Sequence, residues 1–254
     1  MGNLLTDAGR NKSSSTVGDC FLLAVTRILG NASLFLLLVF LFNGSLNIVN
    51  LDWGDSASLL LDAFLSAAFF IQHSGMVRNF FQRWSAQFIE EKYRGALFTI
   101  TSSILLLLVI VLWQKSDFTL APAQDGVRWA LRAVFLLSLI GFFWGIRSLG
   151  SLDMFGLDPI RKGMQGAAAT PPRFKVRGPY RWVRHPLYLF CLLMIWSFPD
   201  PTADRLLFNL LWTVWIVIGT ILEERDLVAQ FGAEYQSYRM AVPMLIPSSF
   251  RPAR

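Results

Sequence analysis

Long apolar stretches separated by short polar segments run through the chain. A helix needs about 20 largely apolar residues to cross a hydrocarbon core of about 30 Å. The stretches that approach this length predict four spanning helices: Phe21–Phe42, Ala57–Gln72, Gly95–Trp113 and Trp129–Ile146. The pattern therefore predicts an all-α integral membrane protein.

Two shorter apolar segments, Pro186–Phe198 and Leu206–Leu222, are separated by a turn that contains Pro199 and Pro201. The first of them covers only roughly 20 Å at 1.5 Å per residue. It therefore begins within the depth of the membrane or tilts against its partner. We expect a helical bundle of five to six transmembrane segments that ends in this helical hairpin.

Composition agrees with a location in the membrane. The 254 residues are 54% hydrophobic and 16% charged, whereas soluble domains average about 45–50% apolar and about 25% charged residues. The net charge of +6 does not indicate nucleic acid, because the basic residues cluster in particular loops, as membrane topology requires. We expect the lipid bilayer and no nucleic acid as a partner, and the oligomeric state stays open.

The positions of lysine and arginine predict the orientation. Basic residues crowd the segments that follow the second and fourth predicted spans and the C-terminal tail, whereas the intervening loops hold few. Because cytoplasmic loops carry the excess of Lys and Arg, both termini are predicted on the cytoplasmic side, which favours an even number of crossings. Residues 1–20 are expected to form a cytoplasmic tail, and residues 21–254 a single transmembrane domain in which Gly163–Pro172 is flexible.

A basic cluster, Arg184-His185-Pro186-Leu187-Tyr188, opens the hairpin. Tyr188 follows His185 by three residues and shares its helix face, so that imidazole and phenol can converge on one ligand. The alternative is an interfacial histidine that caps the helix ahead of a proline at the first helical position. Arg181 and Arg184 have their own alternative role as anchors at lipid headgroups.

An acidic pair, Glu223-Glu224, lies at the predicted end of the last helix. Carboxylates at a helix C-terminus oppose the helix dipole, so a partner for these acids is expected, although Arg225 offsets part of the cost. The hairpin brings the basic and acidic clusters to one face of the membrane. Together they predict a binding site for a zwitterion.

Other chemistries find little support in the sequence. His73, with its polar neighbours, ends the second predicted span and is interpreted either as part of a satisfied helix end or as a wall of the same pocket. No metal site is predicted, because the two histidines are far apart in sequence and the acids form no bidentate cluster. A nucleophile elbow, a phosphate-binding glycine loop and a Rossmann fingerprint are missing from the sequence.

The combined C-terminal motifs resemble the isoprenylcysteine carboxyl methyltransferase superfamily of membrane proteins. These motifs are Gly178-Pro179-Tyr180-x-x-x-Arg184-His185-Pro186-x-Tyr188, Glu223-Glu224-x-x-Leu227, Phe231-Gly232-x-x-Tyr235-x-x-Tyr238 and Val242-Pro243-x-x-Ile246-Pro247. Three upstream segments are similar to the bacterial methanethiol S-methyltransferase branch: Gln72-His73-Ser74 with Arg78, Phe155-Gly156-Leu157, and Thr170-Pro171-Pro172-x-Phe174. The resemblance covers roughly Trp53 to Pro247.

The resemblance implies S-adenosylmethionine as methyl donor, bound by about residues 165–247, in a multi-pass protein of the bacterial inner (cytoplasmic) membrane whose active site faces the cytoplasm. The residues it assigns to cofactor binding are Phe174, Lys175, Val176, Tyr180, His185, Pro186, Leu187, Tyr188, Glu223 and Glu224, with Glu223 taking the amino group. Isoprenylcysteine enzymes carry a substrate-binding arginine one turn before the acidic pair, where this chain has Ile218-Gly219-Thr220. This departure favours a small apolar thiol, such as methanethiol, which would become dimethyl sulfide.

The catalytic roles follow from the chemistry of that acceptor. A thiol that arrives protonated needs a base, for which His185 and His73 are candidates, while Arg184 or Arg239 would favour the thiolate. Three alternatives remain open: methylation of a membrane lipid, methylation of another apolar thiol, amine or carboxylate, and a non-catalytic membrane protein of nitrogen-oxide metabolism.

Overall fold

A computed structural model describes residues 3–120, 122–150, 153–165, 167 and 174–247, with side chains from Val17 onward. The helices within these ranges are α1 (Asn3–Asn43), α2 (Asp55–Val77), α3 (Asn79–Ser85), α4 (Glu91–Leu112), α5 (Asp125–Ser148), α6 (Asp158–Gln165), α7 (Pro186–Trp196), α8 (Ala203–Phe231) and α9 (Ala233–Ala241). A short 3-10 turn, Gly178–Arg181, precedes α7. The predicted all-α fold is confirmed.

Five helices are long and apolar enough to cross a membrane. They are α2, α4, α5, α8 and the part of α1 from Val17 to Asn43. Helix α7 is apolar but shorter, with 11 residues. The prediction of five to six membrane segments with a short first arm of the hairpin is therefore confirmed, and the protein is a multi-pass membrane protein.

Helix α8 extends beyond its predicted end. We expected the helix to stop at Leu222 and the acidic pair to lie at its C-terminus, whereas α8 continues to Phe231 and ends where Gly232 takes a positive φ of 56°. Glu223 and Glu224 therefore lie about two turns inside the helix. The helix-dipole argument for these acids was wrong, because the dipole effect falls off within the last turn.

The described residues divide into two compact units. The first takes those within Met1–Leu36, Phe69–Leu107 and Asp153–Pro171, and the second takes those within Leu37–Ala68, Leu108–Leu152 and Pro172–Arg254. Most of the predicted flexible segment Gly163–Pro172, including Thr170–Pro172, lies outside the described residues. The expectations of an N-terminal tail and a single domain stay predictions.

The first unit is organised around a close backbone approach. Gly95 of α4 meets Gly156, whose φ is +64°, so closely that a Cβ on Gly95 would lie 2.7 Å from the Cα of Gly156. The hydroxyl of Thr99 donates to the carbonyl of Phe155 at 2.9 Å. Leu157 is fully buried against Ala96. The segment Phe155-Gly156-Leu157 thereby attaches α6 to α4.

In the second unit, α5 supports the hairpin through small residues. Gly141 faces the ring of Phe190, and a Cβ on Gly145 would lie 2.6 Å from Cδ2 of Leu187. The absence of side chains at these glycines lets α7 pack directly on α5. This packing holds the first turn of α7, which carries the predicted basic cluster, in place.

A buried arginine anchors the other end of the hairpin. Arg205 is 1% exposed and donates to the carbonyls of Phe40, Leu41 and Ile195 at 3.4, 3.1 and 3.3 Å. The carbonyl of Phe40 also accepts from the backbone N–H of Gly44 at 2.8 Å, whereas Leu41 lies in the last turn of α1, where carbonyls run out of helical partners. The neighbouring Asp204 accepts from the indole N–H of Trp113 at 3.0 Å. The site residues are thus carried by two helices that are fixed at the opposite end.

Candidate functional site

The loop before α7 is held by the C-terminal segment. His185 occupies the N-cap position of α7, with Pro186 as the first helical residue. The backbone N–H of Arg184 donates to the carbonyl of Pro243 at 2.9 Å, and that of His185 to Met244 at 3.1 Å. Pro186 lacks an N–H and loses no hydrogen bond at this position. The residues after α9 therefore fix the backbone from which the Arg184 and His185 side chains extend.

Glu224 is the most heavily bonded side chain of the site. The Nε and Nη2 atoms of Arg184 donate to its Oε1 and Oε2 at 2.7 and 2.9 Å. Tyr235 donates to Oε1 at 2.8 Å, and Nε of Arg239 lies 3.0 Å from Oε2. The side chain is only 7% exposed. Glu224 is thus a buried carboxylate that is compensated by two guanidinium groups, the arrangement that makes burial of a charge tolerable.

Glu223 has a different environment from its neighbour. Its side chain is 44% exposed, and its Oε2 accepts from the phenol of Tyr188 at 2.7 Å. Among the described residues, no group bonds to its other oxygen, Oε1. Glu223 therefore presents a carboxylate oxygen that is available to a cationic group.

The imidazole of His185 lies between the two carboxylates. Its Nε2 is 2.9 Å from Oε1 of Glu224, whereas its Nδ1 is 3.8 Å from Oε2 of Glu223. The ring stacks on Tyr188 with centroids 5.6 Å apart and planes 12° apart. His185 and Tyr188 therefore lie side by side on one face, and their convergence on one ligand stays a prediction.

The two arginines of the cluster differ in how many of their guanidinium nitrogens are free to bind a ligand. Arg184 is 9% exposed and also donates through Nη1 to the carbonyls of Arg239 and Val242. All three of its guanidinium nitrogens are therefore engaged. Arg239 is 47% exposed and is bonded to Glu224 through Nε. Of the two, Arg239 is the cation with capacity for an added anion.

Aromatic side chains pack around this cluster. The ring of Phe174 packs against Phe231, Tyr235 and Tyr238, with centroid distances of 5.5, 5.7 and 5.3 Å. The phenol of Tyr238 donates to the carbonyl of Tyr180 at 2.6 Å. Burial raises the pKa of Tyr180, Tyr235 and Tyr238 above the ordinary tyrosine value. These phenols therefore keep their protons at neutral pH, and those of Tyr235 and Tyr238 act as hydrogen-bond donors.

Tyr235 and Tyr238 are site residues that the sequence analysis did not select. Both were present in the C-terminal motif, three residues apart, and they lie on α9. Spacing of three residues places side chains on one helix face, so this signal was available. Their role became evident only from the position of α9 beside Glu224.

The remaining predicted residues lie at different places. Lys175 is exposed and Val176 is half-buried just before the 3-10 turn, Pro186 is buried, and Leu187 contacts α5. His73 belongs to the first unit, where its ring lies 5.2 and 4.9 Å from those of Phe69 and Phe98. The structure brings Arg184, His185, Tyr188, the acidic pair and Arg239 together within the second unit. Their catalytic and cofactor-binding roles stay predictions.

The charges of the cluster suit a zwitterionic ligand. Arg184 and Arg239 balance Glu223 and Glu224, so the site has no net charge with a neutral His185. It nevertheless offers a free carboxylate oxygen on Glu223 and an exposed guanidinium on Arg239. Within the part of the chain that the structure describes, no group of three or more His, Cys, Asp or Glu side chains could hold a metal ion. The donor set fits an amino acid moiety, which carries both charges.

Known proteins with similar sequences include several that are named methanethiol S-methyltransferase. The methanethiol S-methyltransferase of Pseudomonas sp. (strain GM41(2012)) is 37% identical over 75% of this chain and 74% of its own length. Methanethiol S-methyltransferase 1 of Bradyrhizobium diazoefficiens is 34% identical over 77% of this chain and 69% of its own length. Nurim of Rattus norvegicus is 23% identical over 67% of this chain and 68% of its own length. No protein-family model and no solved structure matches the chain.

The aligned relatives confirm the resemblance that the motifs around Arg184–Tyr188 and Glu223–Glu224 predicted. Identities above 30% extend over about three quarters of the chain and most of each relative, far beyond the motifs themselves. The chain therefore belongs to the family of methanethiol S-methyltransferases.

Proposed function

We propose that the protein is a membrane-embedded, S-adenosylmethionine-dependent S-methyltransferase that converts methanethiol to dimethyl sulfide. Membership of the family supports the acceptor and the reaction. The observation that carries the proposal is the half-exposed carboxylate of Glu223, which accepts from Tyr188 and lies near His185, while Arg239 is bonded to the adjacent Glu224. A methyl donor with an amino acid moiety finds both charges that it needs in this cluster.

In this proposal the chain's own residues bind and orient the donor. Glu223 takes the amino group, and Phe174–Val176, Tyr180 and Pro186–Tyr188 enclose the remainder. When bound, S-adenosylmethionine supplies an electrophilic methyl group on a sulfonium. Attack of a thiolate on a sulfonium neutralises charge, so a site shielded from water favours it over the separated reactants.

Positioning supplies much of the rate in such a displacement, because holding two reactants in line is worth about 7–11 kcal/mol. A thiol with a pKa near 8.5 or above is mostly protonated at neutral pH. His185, between the two carboxylates, is the proposed proton acceptor within the cluster. Of Arg184 and Arg239, the more exposed guanidinium of Arg239 is better able to favour the thiolate.

The environment of the acidic pair supports a small acceptor. The hydroxyl of Thr220 donates to the carbonyl of Ile216 at 2.7 Å and is fully buried. A Cβ on Gly219 would meet no atom within 4 Å. Helix α8 therefore offers no cationic side chain one turn before Glu223, where a prenylcysteine carboxylate would need one. An apolar thiol without a carboxylate fits this part of α8.

Headspace gas chromatography tests the reaction. Detergent-purified protein supplied with S-adenosylmethionine and methanethiol is expected to release dimethyl sulfide, and omission of either reactant should abolish the signal. S-adenosylhomocysteine is measured in parallel with phospholipid vesicles or a prenylcysteine as acceptor. If S-adenosylhomocysteine forms only with those acceptors, methanethiol is not the substrate. If it forms with no acceptor, the enzyme proposal is refuted.

The proposed location follows from the donor. S-adenosylmethionine is charged and is made in the cytoplasm, so we place the protein in the bacterial cytoplasmic membrane with Glu223 and His185 open to the cytoplasm. The excess of basic residues in alternate loops supports this orientation, in which the short helix α7 is a sixth crossing beside the five candidate spans.

A further inference from the structure

The hydrogen bonds of Glu224 define the protonation of His185. A carboxylate only accepts hydrogen bonds, and Oε1 of Glu224 lies 2.9 Å from Nε2 of the imidazole. Nε2 must therefore carry the proton. In the neutral ring the lone pair then belongs to Nδ1. The distance of 3.8 Å from Nδ1 to Glu223 is too long for a hydrogen bond, so this lone pair remains available.

We propose that Glu224 is a positioning residue that holds His185 as the Nε2–H tautomer and so makes Nδ1 the proton acceptor of the site. This inference rests on the proposed function, because it assigns the base for the acceptor thiol. Glu224 itself touches neither reactant, since both of its oxygens are occupied by Arg184, Arg239, His185 and Tyr235. In this proposal Glu224 takes the positioning role instead of the cofactor contact that the resemblance implied.

The two guanidinium groups explain how a buried acid can take this role. Arg184 and Arg239 offset the negative charge of Glu224, so the carboxylate orients the ring without leaving an unpaired charge beside it. Tyr235 donates from α9 to the same oxygen that faces Nε2. The carboxylate is therefore fixed from three sides, and the imidazole follows its position. Outer partners of this kind commonly fix the tautomer and orientation of a functional histidine.

The proton transfer balances without any further reactant. The S–H bond of the thiol breaks, its proton passes to Nδ1 of His185, and the electron pair stays on sulfur. The imidazolium that forms lies between two carboxylates, which stabilises it. The thiolate sulfur then forms a bond to the methyl carbon, and the bond between that carbon and the donor sulfur breaks with its electron pair left on the donor. His185 afterwards returns the proton to solvent.

Nitrogen NMR tests this assignment directly. The chain has only two histidines, so ¹⁵N-histidine labelling of the full-length protein in detergent gives two imidazole spin systems, and a His73→Gln variant identifies that of His185. At pH 8 the long-range ¹H–¹⁵N pattern of His185 is expected to be that of the Nε2–H tautomer. An Nδ1–H tautomer or an imidazolium in the wild type would overturn the proposal, and this outcome needs no variant.

A Glu224→Met variant keeps the side-chain length and removes the acceptor. We expect it to lose the single Nε2–H pattern and to lower kcat on the order of 100-fold, the scale of general base catalysis, with the KM for S-adenosylmethionine changed less than about 3-fold. Glu234→Gln, on the exposed face of α9, is the control and should leave the spectrum unchanged. The positioning role would be refuted if the His185 pattern of Glu224→Met were unchanged. It would also be refuted if the variant only raised the KM for S-adenosylmethionine and kept the wild-type kcat.

The spectrum and the activity assay test the two proposals separately. If the wild type shows the Nε2–H tautomer but forms no dimethyl sulfide, the proposed function fails while the tautomer assignment stands. If dimethyl sulfide forms but His185 is an Nδ1–H tautomer, the reaction stands and the role of Glu224 is refuted.

Discussion

Two adjacent residues of the same type have opposite environments in this protein. Successive residues on a helix point about 100° apart, which turns Glu224 towards Arg184 and α9 and leaves Glu223 44% exposed. A carboxylate whose oxygens already accept hydrogen bonds from the protein can bind a ligand only if some of those hydrogen bonds break. The proposed division of roles between a binding acid and a positioning acid would therefore be a consequence of helix geometry.

At the residue scale, replacing Glu223 should weaken binding of S-adenosylmethionine. Glu223→Ala leaves the ligand's amino group without its partner, and an unpaired polar group typically costs about 1–3 kcal/mol. Isothermal titration calorimetry on detergent-purified protein should show a Kd raised by roughly 5- to 150-fold, whereas Glu234→Ala should bind like the wild type. Equal affinities of Glu223→Ala and the wild type would remove Glu223 from the cofactor site.

At the scale of elements, glycines determine how closely neighbouring segments pack. Gly95 meets the backbone of Gly156, and backbone atoms cannot move aside as a flexible side chain can. Gly75 in α2 is also helical, but a Cβ there would meet no atom within 4 Å. The two positions lie in the same unit and differ in the space that surrounds them.

Gly95→Ala should therefore destabilise the protein, while Gly75→Ala should not. Forcing a methyl group into a filled space costs about 1–3 kcal/mol, whereas alanine in place of an unhindered helical glycine contributes about 0.5–1 kcal/mol of stability. Thermal unfolding in one detergent, followed by circular dichroism, should give a lower midpoint for Gly95→Ala and an equal or higher one for Gly75→Ala. Equal midpoints would show that the approach of Gly95 to Gly156 is not important for stability.

At the scale of the whole molecule, the charges of the loops and the chemistry of the donor give the same orientation. The loop between α1 and α2 has no basic residue, whereas the segments before α7 and after α8 carry many. Because the bias of Lys and Arg sets orientation, the acidic pair is expected at the cytoplasmic face. The proposed donor, which is made in the cytoplasm, is a separate argument for the same orientation.

Single cysteines test this orientation. In a chain that lacks Cys20 and Cys191, Ser56→Cys at the start of α2 and Ser237→Cys on α9 both place a thiol at an exposed position. An impermeant thiol reagent applied to intact cells should label the first and spare the second, and permeabilised cells should label both. The reverse pattern would place Glu223 outside the cytoplasm and contradict the proposed source of the donor.

The sequence alone determined the class of the protein and most of its helices. Apolar stretches of membrane-spanning length have few alternatives to a helix in lipid, because every backbone polar group must be satisfied within the segment. It also determined which residues form the basic and acidic clusters and which family the motifs resemble. The end of α8 was misplaced, because Arg225–Phe231 are polar enough to leave the membrane but can still continue a helix until Gly232.

Only the tertiary structure decided which residues of the cluster are fully engaged and which keep free bonding capacity. Residue type alone does not separate Glu223 from Glu224, or Arg184 from Arg239, since residues of one type have the same intrinsic chemistry. The position of α9 and of the segment after it decided that Glu224 and Arg184 are saturated while Glu223 and Arg239 keep free bonding capacity. Hydrogen-bond partners distant in sequence set these differences, and the physical reason is that a group's availability depends on the donors and acceptors that folding brings to it.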